Sequence, residues 1–255
     1  MIKSLNKALD VIECLSKKDC LTFTEICKNA NLPNGTANRI IKTLMNRNFI
    51  EKDKINKKYY LGEKIFILGF LLFKNCNFGQ IVRPILKEIS DNTSETVNAS
   101  ILFENSVVFI DTVEGAYSVK MAAKIGHKNY INVSAAGKAL AAFQEKNKID
   151  EILLNARFPK LTKNTINNKK EFKKELERVY QNGYAVDNEE EEIGLKCIAG
   201  PVFDSNNKVV GAISISGPNT RIDNNFEKFK EEINKGCIKA SKKLGNFIDY
   251  NKSIN

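Results

Sequence analysis

Histidine is nearly absent from this chain, with His127 the only one among 255 residues. A single imidazole excludes a histidine-rich metal site and argues against a hydrolase that depends on a histidine base. Signatures of other enzyme classes are missing too: the sequence has no Ser-centred GxSxG turn, no phosphate-binding P-loop and no GxGxxG fingerprint. These absences point away from the commonest enzyme chemistries.

The six cysteines form no CxxC pair, and several recur at spacings typical of a helix core. They are predicted to be free, buried thiols in a reducing cytoplasm. The longest apolar run, Ile65 to Phe73, is nine residues and too short to cross a bilayer. Charges interrupt the N-terminal stretch, so no signal peptide and no membrane partner are expected.

The chain is basic, with a net charge of +10 and a pI near 9.2, which suggests an acidic partner such as nucleic acid. The excess of positive charge is unevenly distributed along the chain. Residues 1–62 contain 12 basic and 6 acidic side chains and so carry +6 of the total. A lysine-rich composition throughout would also explain the overall pI, but it does not explain this asymmetry.

The segment from Thr22 to Gly62 has the order of elements found in a winged helix-turn-helix. Thr22 and Glu25 fit a capping box, which predicts a short first helix, just as Ser4 can cap the helix before it. A second helix is predicted from about Gly35 to Arg47, with Asn34 as its cap. The N-terminal half of this helix is the part that meets base edges in the major groove.

The predicted DNA-binding side chains lie on this second helix and on the basic hairpin, or wing, that follows it. Strands over 49–52 and 58–61 would flank a lysine-rich tip able to contact phosphates or the minor groove. The helix face could be an ordinary solvated surface, but it is donor-rich and contains no acidic residue. The candidates are Thr36, Asn38, Arg39, Lys42 and Thr43 on the helix, and Lys54, Lys57 and Lys58 on the wing.

The rest of the chain predicts an α+β domain that follows a strongly apolar helix. That helix, from Glu63 to Lys74, is either a linker with a dimer contact or an ordinary core helix. Beyond it, interspersed strands, helices and hairpin turns predict a largely antiparallel sheet. Its expected elements include a strand over Ser118–Ala123, a helix over Ala135–Phe143 and a C-terminal helix from about Asp223 to Phe247.

Several sequence blocks, in this order, resemble the IclR family of bacterial transcription regulators. They are LNKAL at 5–9, LPNGTANR at 32–39, YLG at 60–62, ETV at 95–97, AAGKA at 135–139, GYAVD at 183–187, GLKCIAGPV at 194–202 and AISISGP at 212–218. The resemblance implies a winged helix-turn-helix over 1–62, a linker helix over 63–77 and a GAF-like effector-binding domain over 78–250. It also implies an operator DNA and a small-molecule effector as partners, homodimers or dimers of dimers, and no cofactor.

The resemblance further implies an effector pocket lined by Met121, Ala135, Ala136, Gly137, Asp187, Cys197, Ser214 and Ser216. The resemblance implies that the effector is a small carboxylic acid, an aromatic acid or a sugar acid. Amides at the start of a helix opened by Ser134 would be free to bind a carboxylate. Two serines spaced two apart on a strand would face the same side. By contrast, Lys138 and the acidic run at 189–192 are expected to be solvated or, for the lysine, salt-bridged.

The expected function is effector-controlled repression of a catabolic operon. Two alternative functions stay open. An enzyme with Cys197 as nucleophile would need a base, but nothing in the sequence places His127 beside that thiol. A DNA-binding protein whose sensor domain no longer responds to any ligand would carry every motif described above. Bound effector, or stabilisation by organic acids, would separate this last possibility from a responsive regulator.

Overall fold

The computed structural model describes residues 2–18, 20–53, 55–75, 77–121 and 124–246. The chain divides into two compact units, residues 1–75 and residues 76–255. Within the described ranges, no helix is both long enough and apolar enough to cross a membrane.

The N-terminal unit is a winged helix-turn-helix followed by one further helix, as predicted. Thr22 and Glu25 form the expected capping box, with the Thr22 amide donating to the Glu25 carboxylate at 2.8 Å. Asn48 has a φ of 60°, the left-handed conformation that separates the second DNA-binding helix from the wing. The elements are α1 (Lys3–Ser16), α2 (Phe23–Asn29), α3 (Asn34–Asn46), β1 (Ile50–Lys52), β2 (Tyr59–Leu61) and α4 (Glu63–Asn75).

Two predicted helix caps are wrong. Helix α1 begins at Lys3 with Ile2 in the N-cap position, so Ser4 lies inside the first turn. Helix α3 begins at Asn34 itself, and its N-cap is Pro33. Pro33 is extended, with φ −61° and ψ 143°, and the helix begins at the next residue. Neither helix has a side-chain cap hydrogen bond.

The C-terminal unit is a six-stranded antiparallel sheet with helices on both faces. The strand order is β5-β4-β3-β8-β7-β6, and every neighbouring pair is antiparallel. The expectation of an α+β fold is confirmed. The elements are α5 (Asn77–Thr93), β3 (Thr96–Phe103), β4 (Ser106–Val113), β5 (Lys128–Tyr130), α6 (Ala135–Ala142), α7 (Lys146–Asn155), α8 (Lys169–Asn182), β6 (Ala185–Asn188), β7 (Leu195–Phe203), β8 (Val209–Pro218), α9 (Asn219–Asn224) and α10 (Phe226–Lys243).

The two faces of this sheet differ in character, and strand β8 shows the difference. Ile213 and Ile215 pack on one face against the apolar sides of α5 and α10. The alternate residues Ala212, Ser214 and Ser216 point to the other face, which α6 covers. The first face is a conventional apolar core. The second face is built from small and polar side chains, and it contains the predicted effector residues.

Two predicted elements of this unit are wrong. Residues 118 and 119 form a bend and residues 120 and 121 have no regular structure, while 122 and 123 lie outside the described residues. The predicted C-terminal helix is two helices, α9 and α10, separated at Asn225. The Asn225 side chain donates to the Arg221 carbonyl at 2.9 Å and its own φ is −123°, which ends α9. Two short strands, β5 and β6, were not predicted.

The described cysteines are all free thiols. Cys14, Cys27, Cys197 and Cys237 are buried, as predicted, whereas Cys20 is partly exposed. Cys76 lies outside the described residues.

Candidate DNA interface and effector site

The outward face of α3 presents exposed donors. Asn38, Arg39, Lys42 and Thr43 are exposed, and Thr36 is half-buried. The side chain of Arg39 has no hydrogen-bond or ion-pair partner in the described part of the chain, and neither does that of Lys42. Thr43 differs, because its hydroxyl already donates to the Arg39 carbonyl at 2.9 Å. Arg39 and Lys42 are therefore the groups on this face best placed to bind a nucleic acid.

The wing ends in a turn organised by Asp53. Its Oδ1 accepts the amides of Ile55 at 2.7 Å and Asn56 at 3.1 Å, and these bonds lower the pKa of the carboxyl. Lys57 takes a φ of 57° and is exposed, whereas Lys58 is half-buried. Lys54 lies outside the described residues. The turn therefore presents Lys57 to solvent at the tip of the wing.

The start of α6 offers two free backbone amides. Ser134 is the N-cap: its Oγ accepts the Gly137 amide at 3.0 Å and its carbonyl accepts the Lys138 amide at 3.1 Å. The amides of Ala135 and Ala136 have no acceptor among the residues that the structure describes. Gly137 is required here, because a Cβ would lie 2.5 Å from the Ile131 carbonyl oxygen. Ser134 caps this helix as predicted, and the open amides are those of the two alanines.

Below α6 the sheet carries a group of buried polar side chains that we call the polar patch. Strand pairing places Cys197 beside both Asp187 and Ser216, and Ser214 beside Asn98. Asn98 joins the group through a 3.3 Å bond to Ser216 Oγ and a 2.8 Å bond from Thr112. The patch consists of Thr96, Asn98, Asp187, Cys197, Ser214 and Ser216, all of them buried.

Thr96 and Asn98 were not among the sequence candidates. Their signal is the alternation Thr96, Asn98, Ser100 on β3, which puts three polar residues on one face of a central strand. Thr96 also places Met121, because its hydroxyl donates to the Met121 carbonyl at 3.1 Å. Met121 therefore lies beside the polar patch, and its side chain is partly exposed.

Asp187 is the carboxylic acid of the patch, and its environment changes the pKa of its carboxyl group. It is fully buried, and desolvation raises the pKa of its carboxyl to about 7, although the Glu190 amide donates to Oδ1 at 2.7 Å. Oδ2 has no hydrogen-bond partner among the residues that the structure describes. Burial also raises the pKa of the neighbouring Cys197 thiol well above its ordinary value. A protonated, enclosed thiol is a poor nucleophile, which argues against Cys197 as a catalytic residue.

The expectation of a solvated acidic run at 189–192 is wrong at Glu190. Glu190 is buried, and its Oε2 lies 2.5 Å from Nζ of Lys138, which is itself fully buried. Glu175 lies 3.4 Å from the same ammonium group and also pairs with Arg178. The partners are 52 residues apart in sequence, so no local pattern could show the pairing.

Two cavities in this unit lie away from the predicted pocket. One, of about 270 Å³, borders Glu175, Arg178 and Glu190. The other, of about 970 Å³, is lined by the aromatic residues Phe143, Tyr180 and Phe203 among others. No predicted effector residue lines either cavity. The residues of the polar patch are themselves buried.

The family models match both units of the chain. The bacterial transcriptional regulator IclR C-terminal model covers residues 71–242, and the IclR helix-turn-helix domain covers residues 4–54. The chain therefore belongs to the IclR family of bacterial transcriptional regulators. It is 30% identical over 247 residues to the transcriptional repressor IclR of Escherichia coli strain K12, covering 95% of this chain and 89% of that protein.

Solved structures agree with this assignment. The crystal structure of IclR from Thermotoga maritima has a TM-score of 0.81 and 31% identity, covering 96% of this chain and all of that one. An IclR homologue from Microbacterium hydrocarbonoxydans, solved in complex with 4-hydroxybenzoate, has a TM-score of 0.84 and covers 94% of this chain and 98% of that one. At 21% identity this second likeness concerns the fold alone. The matched families and these relatives are transcription regulators, not enzymes.

Proposed function

We propose that this chain is a repressor that binds operator DNA through α3 and the wing and releases it when a small carboxylic acid occupies the polar patch. One observation carries the proposal: the two open amides of Ala135 and Ala136 begin a helix that packs over the sheet face bearing Ser214 and Ser216. Helix amides and hydroxyl groups together form a site for an anion.

The effector of this proposal carries a hydroxyl group as well as a carboxylate. Asp187 leaves Oδ2 without a partner, and such a buried oxygen favours a ligand that donates a hydrogen bond to it. The Microbacterium homologue holds 4-hydroxybenzoate, which has both groups. Since the patch is buried, entry requires local opening, and residues 114–121, which have no regular secondary structure, contact the patch through the bond from Thr96 to the Met121 carbonyl.

The proposed functions follow the predicted domain boundaries: residues 1–62 bind DNA, residues 63–77 link the domains and residues 78–250 sense the effector. A second copy of the chain is the proposed protein partner, as a dimer or a dimer of dimers. Helix α4 exposes Phe66, Ile67 and Leu68, with Phe66 at 72% exposure, which disfavours an ordinary core helix. A two-fold dimer would match a palindromic operator in the cytoplasm, where bacterial DNA lies.

Two measurements on the full chain test this function. A duplex bound by the protein would first be selected from a random-sequence DNA pool. Glycolate, lactate, gluconate and 4-hydroxybenzoate would then be titrated against the labelled duplex, with thermal unfolding followed in parallel. We expect at least one acid to weaken DNA binding roughly fivefold or more. The same acid at about 100 times its Kd should stabilise the fold by roughly 2.7 kcal/mol.

A result in which no acid has an effect would also decide the proposal. Tight DNA binding with no effect of any acid on affinity or on thermal stability would remove the effector from the proposal. It would leave a DNA-binding protein with a non-responsive sensor domain.

A further inference from the structure

The buried ion pair between Lys138 and Glu190 lies at the boundary of the polar patch. A carboxylate buried at this depth without a partner would be strongly destabilising, so Glu190 depends on Lys138, while Lys138 is shared between Glu190 and Glu175. Lys138 is the fourth residue of α6 and follows directly after the open amides and Gly137. The pair therefore ties the start of α6 to the loop after β6.

Glu190 is held at three points. Its carboxylate binds Lys138, its carbonyl accepts the Thr165 hydroxyl at 2.6 Å, and its amide donates to Asp187 Oδ1 at 2.7 Å. Because the amide occupies Oδ1, the direction of the Asp187 carboxylate is set and Oδ2 is the oxygen left without a partner. Above about pH 7, where the Asp187 carboxyl is ionised, a ligand hydroxyl group would find its acceptor at that atom.

We propose that the Lys138–Glu190 ion pair is a positioning device that sets the preference of the site for hydroxy acids over acids that lack the hydroxyl group. This inference rests on the function proposed above. The pair links the two ends of the site, the amides that hold the carboxylate and the Asp187 oxygen that accepts the hydroxyl. An acid without a hydroxyl leaves Asp187 Oδ2 unsatisfied, and that loss is the source of the discrimination.

The test compares matched acids on the full chain by isothermal titration calorimetry, at a pH well above 7 so that the Asp187 carboxyl is charged. The pairs are 4-hydroxybenzoate with benzoate, glycolate with acetate, and lactate with propionate. For the pair that binds the wild type most tightly, we expect the hydroxy acid to bind about tenfold more tightly or better, the worth of one hydrogen bond to a charged group. Lys138→Met should reduce the ratio of the two affinities, hydroxy acid to matched acid, severalfold towards one.

Two further variants separate positioning from general damage. Lys138→Arg keeps a cation and should retain more of the ratio than Lys138→Met. Lys148→Met breaks an exposed lysine–glutamate pair on α7, with Glu151, and should leave the ratio unchanged. If circular dichroism shows that Lys138→Met does not fold, Glu190→Gln replaces it in the test. This second variant keeps the side-chain shape of Glu190 and removes its charge. The same fall in ratio is expected.

The outcomes are distinct. Equal weakening of both acids, with the wild-type ratio kept in Lys138→Met or in Glu190→Gln, would overturn the inference and show a purely structural ion pair. A wild type that binds the acids with a ratio of one would overturn it as well, while leaving the carboxylic-acid effector in place. A wild type that binds none of the six acids would overturn the proposed effector class and this inference with it.

Discussion

The outward surface of α3 and the polar patch of the C-terminal unit differ in whether their polar groups have partners within the protein. Arg39 and Lys42 are exposed and unpaired among the described residues, so their interactions await a partner molecule. The patch is buried, and its polar groups largely satisfy one another, with Asp187 Oδ2 as an exception. The surface can therefore change in sequence at little cost to folding, whereas a change in the patch affects stability and recognition together.

The largest expected effect lies in the patch and depends on pH. Below about pH 4 the Asp187 carboxyl is protonated in both folded and unfolded chains. Because its pKa in the folded chain is about 7, against an ordinary 3.8, the folded state retains a proton that the unfolded state has lost at intermediate pH. Its contribution to the free energy of unfolding therefore falls as pH rises from about 4 to 7, by on the order of 4 kcal/mol.

Asp187→Asn removes this titrating group, so comparing the variant with the wild type isolates the effect of the Asp187 carboxyl on stability. Urea unfolding of both proteins at several pH values should show the variant gaining stability relative to the wild type as pH rises to 7, then a constant difference. A difference that does not vary between pH 4 and 7 would mean that burial does not perturb this carboxyl.

Two glycines at helix starts provide a matched pair. Gly137→Ala on α6 forces a Cβ to 2.5 Å from the Ile131 carbonyl, so we expect a loss of about 1–3 kcal/mol in the stability of the C-terminal unit. At Gly35 on α3 no atom lies within 4 Å of the added Cβ, and Gly35→Ala should be neutral or stabilise by up to about 1 kcal/mol. Thermal unfolding measures both, and similar losses in the two variants would contradict the contrast.

On the DNA side, Arg39→Ala should leave stability within about 0.5 kcal/mol of the wild type, because the side chain is exposed. Specific DNA binding should weaken by about 1–3 kcal/mol if the guanidinium reads a base. Arg47→Ala, which removes the same charge just beyond α3, is the control. Equal weakening by both variants on selected and on random duplexes would assign Arg39 to phosphate contacts alone.

Only some features that depend on neighbours in sequence could be predicted. The capping box at Thr22 and the Ser134 cap of α6 are local patterns, and both are present, whereas the equally local caps expected at Ser4 and Asn34 are absent. The burial of Glu190 depends on Lys138, 52 residues away, so the local pattern predicts a solvated acidic run there. The strands β5 and β6 have only three and four residues. Strands β1 and β2 are as short, but the lysine-rich turn between them indicates a hairpin.

The central claim is that the polar patch holds the effector and that α3 holds the DNA. A double Ser214→Ala and Ser216→Ala variant tests it most directly, with an acid that releases wild-type protein from its selected duplex. We expect the variant to bind the duplex with nearly wild-type affinity in the absence of acid. It should no longer release the duplex at the wild-type effector concentration, because the ligand acts only through its differential binding to two states. Release at an unchanged concentration would contradict the account and move the effector elsewhere, with the 970 Å³ cavity beside Phe143 the next site to examine.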